Sequence, residues 1–194
     1  MHSLRNATLL LAGSWLAVAL AAAQTGYPQQ QPSQQAATQP AKSAASANQR
    51  AADFLNTLNQ SEIAAAHMMQ DHSRSDQVKD YTKMIATDHQ DAQNQLESVA
   101  SQSNLALHTD PKMMESSDKR KTRLQNESST QADKSYIAAE VKEHREAIRE
   151  LNRLEPQVTD PHLKSYIQST VPVLQKHLNE AQKLHAELGG GKKM

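Results

Sequence analysis

The stretch from Ala132 to Pro156, ADKSYIAAEVKEHREAIRELNRLEP, carries the pattern that decides the fold. Its apolar residues recur at steps of three, four and seven: Ile137, Val141, Ile148 and Leu151. Such steps keep side chains on one face of a helix. His144 falls on the same face, and Glu140 precedes it by about one turn. This stretch therefore predicts a helix whose core-facing side carries ionisable residues. Such residues are rarely buried without a partner, so they are the first candidates for a functional role.

Three other segments repeat this combination of an apolar stripe and inward ionisable residues. The first carries Glu62, the second carries Asp88 beside His89, and the last carries His177. The apolar positions are Phe54, Leu58, Ala65 and Met69, then Val78, Tyr81, Ile85, Ala92, Leu96 and Val99, then Leu163, Ile167, Leu174, Ala181, Leu184 and Leu188. Four stripes that pack against one another predict an all-α, four-helix bundle of the up-down type.

The helix boundaries follow from capping and breaking residues. The four helices are predicted from about Gln49 to Gln70, from Ser75 or Asp76 to about Ser101, from about Ala132 to Glu155, and from Asp160-Pro161 to about Leu188. Between the second and third, the segment from Ser103 to Gln131 has a weak pattern that indicates one short extra helix on the bundle surface. So long a connection fits the crossover of a ferritin-like topology.

The N-terminal residues predict export of the protein. Residues 1–23 combine Arg5, an apolar run and three alanines, which is typical of a cleaved signal peptide. Residues 24–48 are rich in Gln, Pro, Ala and Ser and are expected to be a disordered linker. The bundle domain is then 49–188, followed by a flexible tail, 189–194. No membrane span is expected after signal cleavage, so the predicted location of a soluble protein is periplasmic or secreted.

Composition argues against several classes of function. The formal charge is zero and aromatic residues make up 3% of the chain, so no basic or stacking surface for nucleic acid is expected. There is no cysteine, no Gly-x-Ser-x-Gly turn and no glycine-rich phosphate loop, which argues against nucleophilic catalysis. The sequence therefore favours a protein that is not an enzyme. None of these features indicates a particular protein partner or oligomeric state.

The inward polar residues allow two interpretations. In the leading one they form a structural layer that includes Asp88 and Tyr136, in which Asp88 accepts from His144 or Tyr136 and Glu62 pairs with His177 or His89. In the alternative they hold a metal, with iron, manganese or zinc as candidates. The predicted ligands are then Glu62, His89, Glu140, His144 and His177.

Two details bear on the metal interpretation. The histidines lack the Glu-x-x-His spacing of the well-known carboxylate-bridged sites. Asp88 and His89 are adjacent and diverge by about 100° on a helix, so they are not expected to bind the same ion. The remaining histidines of the mature chain fall off the stripes and are expected in solvent: His67, His72, His108, His162 and His185.

With these residues the chain resembles a family of exported bacterial proteins, the domain of unknown function 4142 family, from about Ala51 to Leu188. The matching motifs are Glu62, Met84-x-x-x-Asp88-His89 with Leu96, Asp133-x-x-Tyr136-Ile137 leading to His144, and Leu174-x-x-His177-Leu178. The chain departs from the family pattern at Ala132, where an aromatic residue is usual, and at 127–130, where a glycine-containing turn is usual. The resemblance implies a ferritin-like bundle and export, without an established activity.

Together these observations predict an exported helical-bundle protein that is non-enzymatic and related to stress or to the envelope. The alternative is a ferritin-like metal-binding or metal-dependent redox protein. A third hypothesis is an envelope interaction module, in which the Gln- and Pro-rich segment acts as a tether.

Overall fold

The computed structural model describes residues 35–189, with side chains described from Ser46 onward. The described residues form α1 (Gln35–His72), α2 (Asp76–Gln102), α3 (Pro111–Asn126), α4 (Ser129–Leu154) and α5 (Pro161–Gly189), with a 3-10 turn at Glu155–Gln157. No strand occurs within 35–189, which confirms the all-α class and the extra helix before α4. The predicted signal peptide, linker residues 24–34 and tail residues 190–194 lie outside the described range.

Helix α1 begins at Gln35, well before the predicted start at Gln49, so the predicted disordered linker is helical from that residue onward. Gln and Ala are good helix formers, and tertiary contacts are described at the C-terminal end of this extension. Ala47 is buried. The side-chain oxygen of Asn48 accepts a hydrogen bond from the backbone N–H of Thr159 at 2.9 Å. Low hydrophobicity therefore concealed this helical segment in the sequence.

Side-chain caps mark where α2 and α5 begin. Ser75 caps α2, as its sequence position predicts, by accepting from the backbone N–H of Val78. Asp160 caps α5 by accepting from the backbone N–H of Leu163 at 2.8 Å. These two contacts satisfy backbone N–H groups at the starts of the helices that carry His89 and His177.

The four long helices contact one another in the order α1, α2, α5, α4 and back to α1, whereas α3 packs on α1 and α4 from outside. The ferritin-like description of this arrangement stays a prediction. Among the described residues, no helix is both long enough and apolar enough to cross a bilayer.

The core consists of two apolar clusters with a polar layer between them. One cluster contains Leu55, Leu151 and Leu163, and the other contains Ile85 and Ile137. Fully burying a side chain of this size contributes about 1.5–3 kcal/mol, so both clusters strongly favour the folded state. Between the segments that enter the two clusters, the long helices place five buried ionisable residues: Glu62, His89, Glu140, His144 and His177. The polar layer thus has an apolar cluster on each side of it along the bundle.

Candidate functional site

Three histidines from three helices meet in this layer. His89 comes from α2, His144 from α4 and His177 from α5, and all three are buried. Their ring centroids are 5.3–5.9 Å apart, and one ring nitrogen of each lies within 4.8 Å of the other two. His144 Nε2 and His177 Nδ1 are 3.3 Å apart. This matches the separation of about 3.3–3.4 Å expected for two imidazole nitrogens bound about 2.0–2.1 Å from one tetrahedral zinc.

A chain of side-chain amides sets the proton position on His89. The Nδ2 of Asn56 donates to the backbone carbonyl of His108, which leaves its oxygen to accept from Gln93 Nε2 at 3.0 Å. The oxygen of Gln93 then accepts from Asn59 Nδ2. Asn59 Oδ1 consequently faces His89 Nδ1 at 3.0 Å, so that nitrogen carries the hydrogen. His89 Nε2 keeps a lone pair, is buried and has no hydrogen-bond partner.

The other two histidines are oriented in the same way. His144 Nδ1 donates to the backbone carbonyl of Glu140 at 3.1 Å, and His177 Nε2 donates to Asp88 Oδ2 at 2.9 Å. In the neutral rings, the two nitrogens that face each other therefore both present lone pairs. Two lone pairs at 3.3 Å repel unless a cation lies between them or beside them. The arrangement is suited to coordinating a positive ion.

The pKa values of the histidines favour the neutral, metal-binding form. Burial lowers the pKa of His89 to about 3, although the nearby Glu62 acts in the opposite direction. Burial likewise lowers the pKa of His144 to about 4. The pKa of His177 is lowered less strongly, because its hydrogen bond to Asp88 opposes the effect of burial. Near neutral pH the three rings are uncharged, which is the state that a metal requires.

A second cluster of ionisable groups adjoins the histidines. Glu62 of α1 and Glu140 and Glu143 of α4 each place one carboxylate oxygen within 4.8 Å of the other two. Arg120 of α3 pairs with Glu143 and lies 3.6 Å from Glu140 Oε1 and 3.9 Å from Glu62 Oε1. The hydroxyl of Tyr81 donates to Glu140 Oε2 at 3.3 Å. The guanidinium of Arg120 thus lies within 4 Å of all three carboxyl groups.

The carboxyl groups of this cluster differ in their readiness to ionise. Burial by itself would raise the pKa of Glu62, but the charge of Arg120 helps to bring it down to about 2. Burial and the charge of Glu62 raise the pKa of Glu143 to about 8. Burial and Glu62 also raise the pKa of Glu140 well above its ordinary value. Glu62 therefore ionises first, and the fully buried Glu140 retains its proton most strongly.

Glu140 joins the two clusters. Its backbone carbonyl accepts from His144 Nδ1, and its Oε2 lies 3.5 Å from the same nitrogen. Several buried polar atoms around it have no hydrogen-bond partner: both carboxylate oxygens of Glu62, Oε1 of Glu140 and the hydroxyl of Tyr136. Buried polar atoms are normally paired, so the layer is only partly satisfied by the chain itself.

The five predicted ligands all lie in the polar layer, but the structure divides them between two clusters. His89, His144 and His177 are together, whereas Glu62 and Glu140 lie with Arg120. Glu62 does not pair with His177 or His89 as the structural interpretation expected, because Arg120 offers a full positive charge nearby.

Asp88 and Tyr136 also differ from expectation. Asp88 is 27% exposed and bonds to His177 from the edge of the bundle, not to His144 or Tyr136. Its rotation of about 100° from His89 accounts for this position. Tyr136 is fully buried, but its hydroxyl has no partner. The five other described histidines lie outside both clusters: His67, His72, His108, His162 and His185.

Sequence reasoning missed Arg120, Glu143 and Asn59. Arg120 lies in the segment with a weak pattern, yet Ser117 and Leu124 are buried three residues before it and four after it, which forms a short stripe. Asn59 and Glu143 each lie one turn from a predicted site residue, Asn59 before Glu62 and Glu143 after Glu140. An arginine, an amide and a second glutamate usually indicate an exposed face, so composition concealed this signal.

Surface cavities reach both clusters. One of about 420 Å³, between α2 and α5, is lined by His89, His177 and Asp88 and offers an entry path to the histidines. Another, of about 540 Å³, is formed by α1, α3 and α4 and reaches Glu62 and Glu143. Each cluster therefore has its own route to solvent.

Of the comparisons with known proteins, the one with protein-family models gives a match. The model of the family described as "Domain of unknown function (DUF4142)" matches residues 30–184, which include both clusters and all five described helices except the last residues of α5. No curated protein and no solved structure matches the chain. The chain therefore belongs to the family of the domain of unknown function DUF4142.

Proposed function

We propose that this protein binds a transition-metal ion through His89 Nε2, His144 Nε2 and His177 Nδ1. The observation that carries the proposal is the orientation of the three rings. Each outer nitrogen donates to a protein oxygen, and each inner nitrogen faces the other rings. Metal-binding histidines almost always donate their second nitrogen to a carboxylate, a carbonyl or water, which fixes the ring for coordination.

The donor set favours some metals over others. Imidazole nitrogen suits zinc, copper, iron and nickel, whereas manganese prefers oxygen ligands. Of the three metals that the sequence suggested, zinc and iron are thus better matched to this site than manganese. Three protein ligands also leave a coordination position open, as in catalytic metal sites, so bound zinc or iron would be able to accept a further small ligand.

A second candidate is the structural polar layer. It is favoured by the amide chain of Asn56, Gln93 and Asn59, which is buried and runs from a backbone carbonyl to His89. Satisfied polar networks can specify how helices pack without binding any ligand. In that case the histidines would stabilise the bundle in the absence of metal.

The deciding experiment measures metal content against a matched histidine control. Wild-type protein, His177→Ala and His185→Ala are dialysed against Zn²⁺ or Fe²⁺, and the bound metal per chain is determined. His185 lies on the same helix but is exposed. We expect about one equivalent in the wild type and in His185→Ala, and none in His177→Ala. A folded wild type that binds neither ion would favour the structural layer instead.

We further propose that the protein acts outside the cytoplasm, after removal of residues 1–23, and that it serves the envelope or the response to stress without catalysis. Support for export comes from the apolar run and the three alanines at the N-terminus. N-terminal sequencing of protein recovered from the periplasmic fraction tests the location, and an intact Met1 would contradict it. If the protein is instead an envelope interaction module, deleting Gln24–Gln34 should abolish its cellular role and leave the bundle folded.

A further inference from the structure

We propose that Glu62, Glu140 and Glu143 form a second cation site, which the guanidinium of Arg120 occupies from within the chain. The native protein would then hold one metal at the histidines and carry its second buried cation as a side chain. A hard divalent cation such as Mn²⁺ would enter the carboxylate site once that guanidinium is removed. This inference does not depend on metal binding by the histidines.

The carboxylate geometry suits a single ion. One oxygen from each of the three residues lies within 4.8 Å of the others. Two oxygens on opposite sides of a divalent ion are about 4–5 Å apart, because metal–oxygen distances are about 2.0–2.6 Å. A site made of oxygen ligands favours hard cations such as Mg²⁺, Ca²⁺ or Mn²⁺. Its expected preference therefore differs from that of the histidine cluster.

Arg120 supplies charge to this site but does not satisfy its oxygen atoms. It pairs closely with Glu143 only, and its nitrogens are 3.6 Å or more from the nearest oxygens of Glu140 and Glu62. No N–H group of the described chain therefore donates to either oxygen of Glu62 or to Oε1 of Glu140, although each residue is fully buried, and the carboxyl proton retained on Glu140 is the donor left to them. The fully buried hydroxyl of Tyr136 is also unpaired. A guanidinium thus neutralises the site without coordinating it.

The position of Arg120 in the fold makes it separable from the site. The three carboxylates belong to α1 and α4, which are members of the ring of long helices, whereas Arg120 belongs to the shorter α3 outside that ring. The cavity of about 540 Å³ beside α3 reaches Glu62, Glu143 and Arg120 itself. Removing this side chain should therefore open the carboxylates to solvent ions without disturbing the helices that hold them.

The test compares Arg120→Met with Arg123→Met, an exposed arginine on the same helix. Each protein is equilibrated with Mn²⁺, and the bound ion per chain is measured. We expect Arg120→Met to bind about one Mn²⁺ more than the wild type or Arg123→Met. The gain should disappear in Arg120→Met combined with Glu143→Gln. It should persist in Arg120→Met combined with His177→Ala, which separates this site from the histidine site.

A folded Arg120→Met protein that gains no Mn²⁺ would overturn the proposal. If Arg120→Met is unfolded without metal, circular dichroism should show that Mn²⁺ restores its helices, since the ion replaces the missing charge. Arg120→Gln, which keeps a polar side chain, provides a second variant for the same measurement. Failure of Mn²⁺ to bind or refold either variant would also overturn the proposal.

Discussion

The histidine cluster and the carboxylate cluster share one buried layer, but they meet the cost of burial in different ways. The histidines are neutral, and each outer nitrogen donates to an oxygen of the protein. The carboxyl groups depend on Arg120 and on the proton retained by Glu140. One cluster thus presents lone pairs that are suited to a cation, and the other contains a guanidinium that makes few close bonds to its carboxyl groups.

The difference shows how electrostatics decides which buried cluster is ready for an ion. Neutral imidazoles can be buried without a counter-ion if their N–H groups are bonded, so their inner nitrogens can stay free. A buried carboxylate without a counter-charge is far more costly, and it therefore needs a cation or a proton at all times. The carboxylates accordingly fold around a cation supplied by the chain itself.

The largest effect should come from removing that internal cation. In metal-free buffer near neutral pH, Arg120→Met should lower the free energy of unfolding by about 3–5 kcal/mol, because it leaves buried carboxylates without their counter-charge. Under the same conditions His177→Ala should cost about 1–3 kcal/mol. Urea denaturation of both variants measures the difference. Equal losses would mean that the two clusters do not differ in the way described.

Adding Zn²⁺ should stabilise the folded protein through the histidine cluster. At a Zn²⁺ concentration of about 100 times the dissociation constant, the free energy of unfolding should rise by about 2.7 kcal/mol, since the ion binds only the folded state. Thermal unfolding with and without Zn²⁺ measures this rise. His144→Ala should show no such rise, whereas His67→Ala, an exposed histidine on α1, should respond like the wild type.

Breaking the amide chain should weaken the histidine site without removing a ligand. Asn59→Leu leaves His89 Nδ1 without its acceptor, so the affinity for Zn²⁺ should fall about 10–100-fold. Isothermal titration checks this value. Asn94→Leu, at an exposed position on α2, provides the control and should bind like the wild type. An unchanged affinity in Asn59→Leu would show that the amide chain does not orient His89.

The smallest loss of stability is expected from a substitution outside both clusters, which provides a reference. Asp160→Ala removes the cap of α5 and should cost about 0.5–2 kcal/mol. Burial acts to raise the pKa of Asp160, but its bonds with the Leu163 N–H and the Ser103 hydroxyl hold it below the ordinary 3.8. Its stabilising contribution is therefore complete above pH 3.8 and is lost as the pH falls through the lowered pKa of the folded state. Denaturation near neutral pH and at about pH 3 should show the difference between wild type and variant narrowing in acid.

Much of the fold follows from local sequence. Helical spacing identified the long helices and the inward positions of His144 and His177, and Ser75 and Asp160 were recognisable caps. The start of α1 at Gln35 was not recognisable, because its small and polar residues have little hydrophobic signal. Likewise, Arg120 looked like an ordinary surface residue until its neighbours on α1 and α4 were known.

The sequence by itself determined that imidazoles and carboxylates from four helices face a common core, because the helical repeat sets the direction of each side chain within its own helix. Only the tertiary structure decided which of them meet. The rotation and relative height of packed helices depend on side chains from every neighbour at once, so no single segment records them. That packing separated the three histidines from the glutamates and placed Arg120 among the carboxylates.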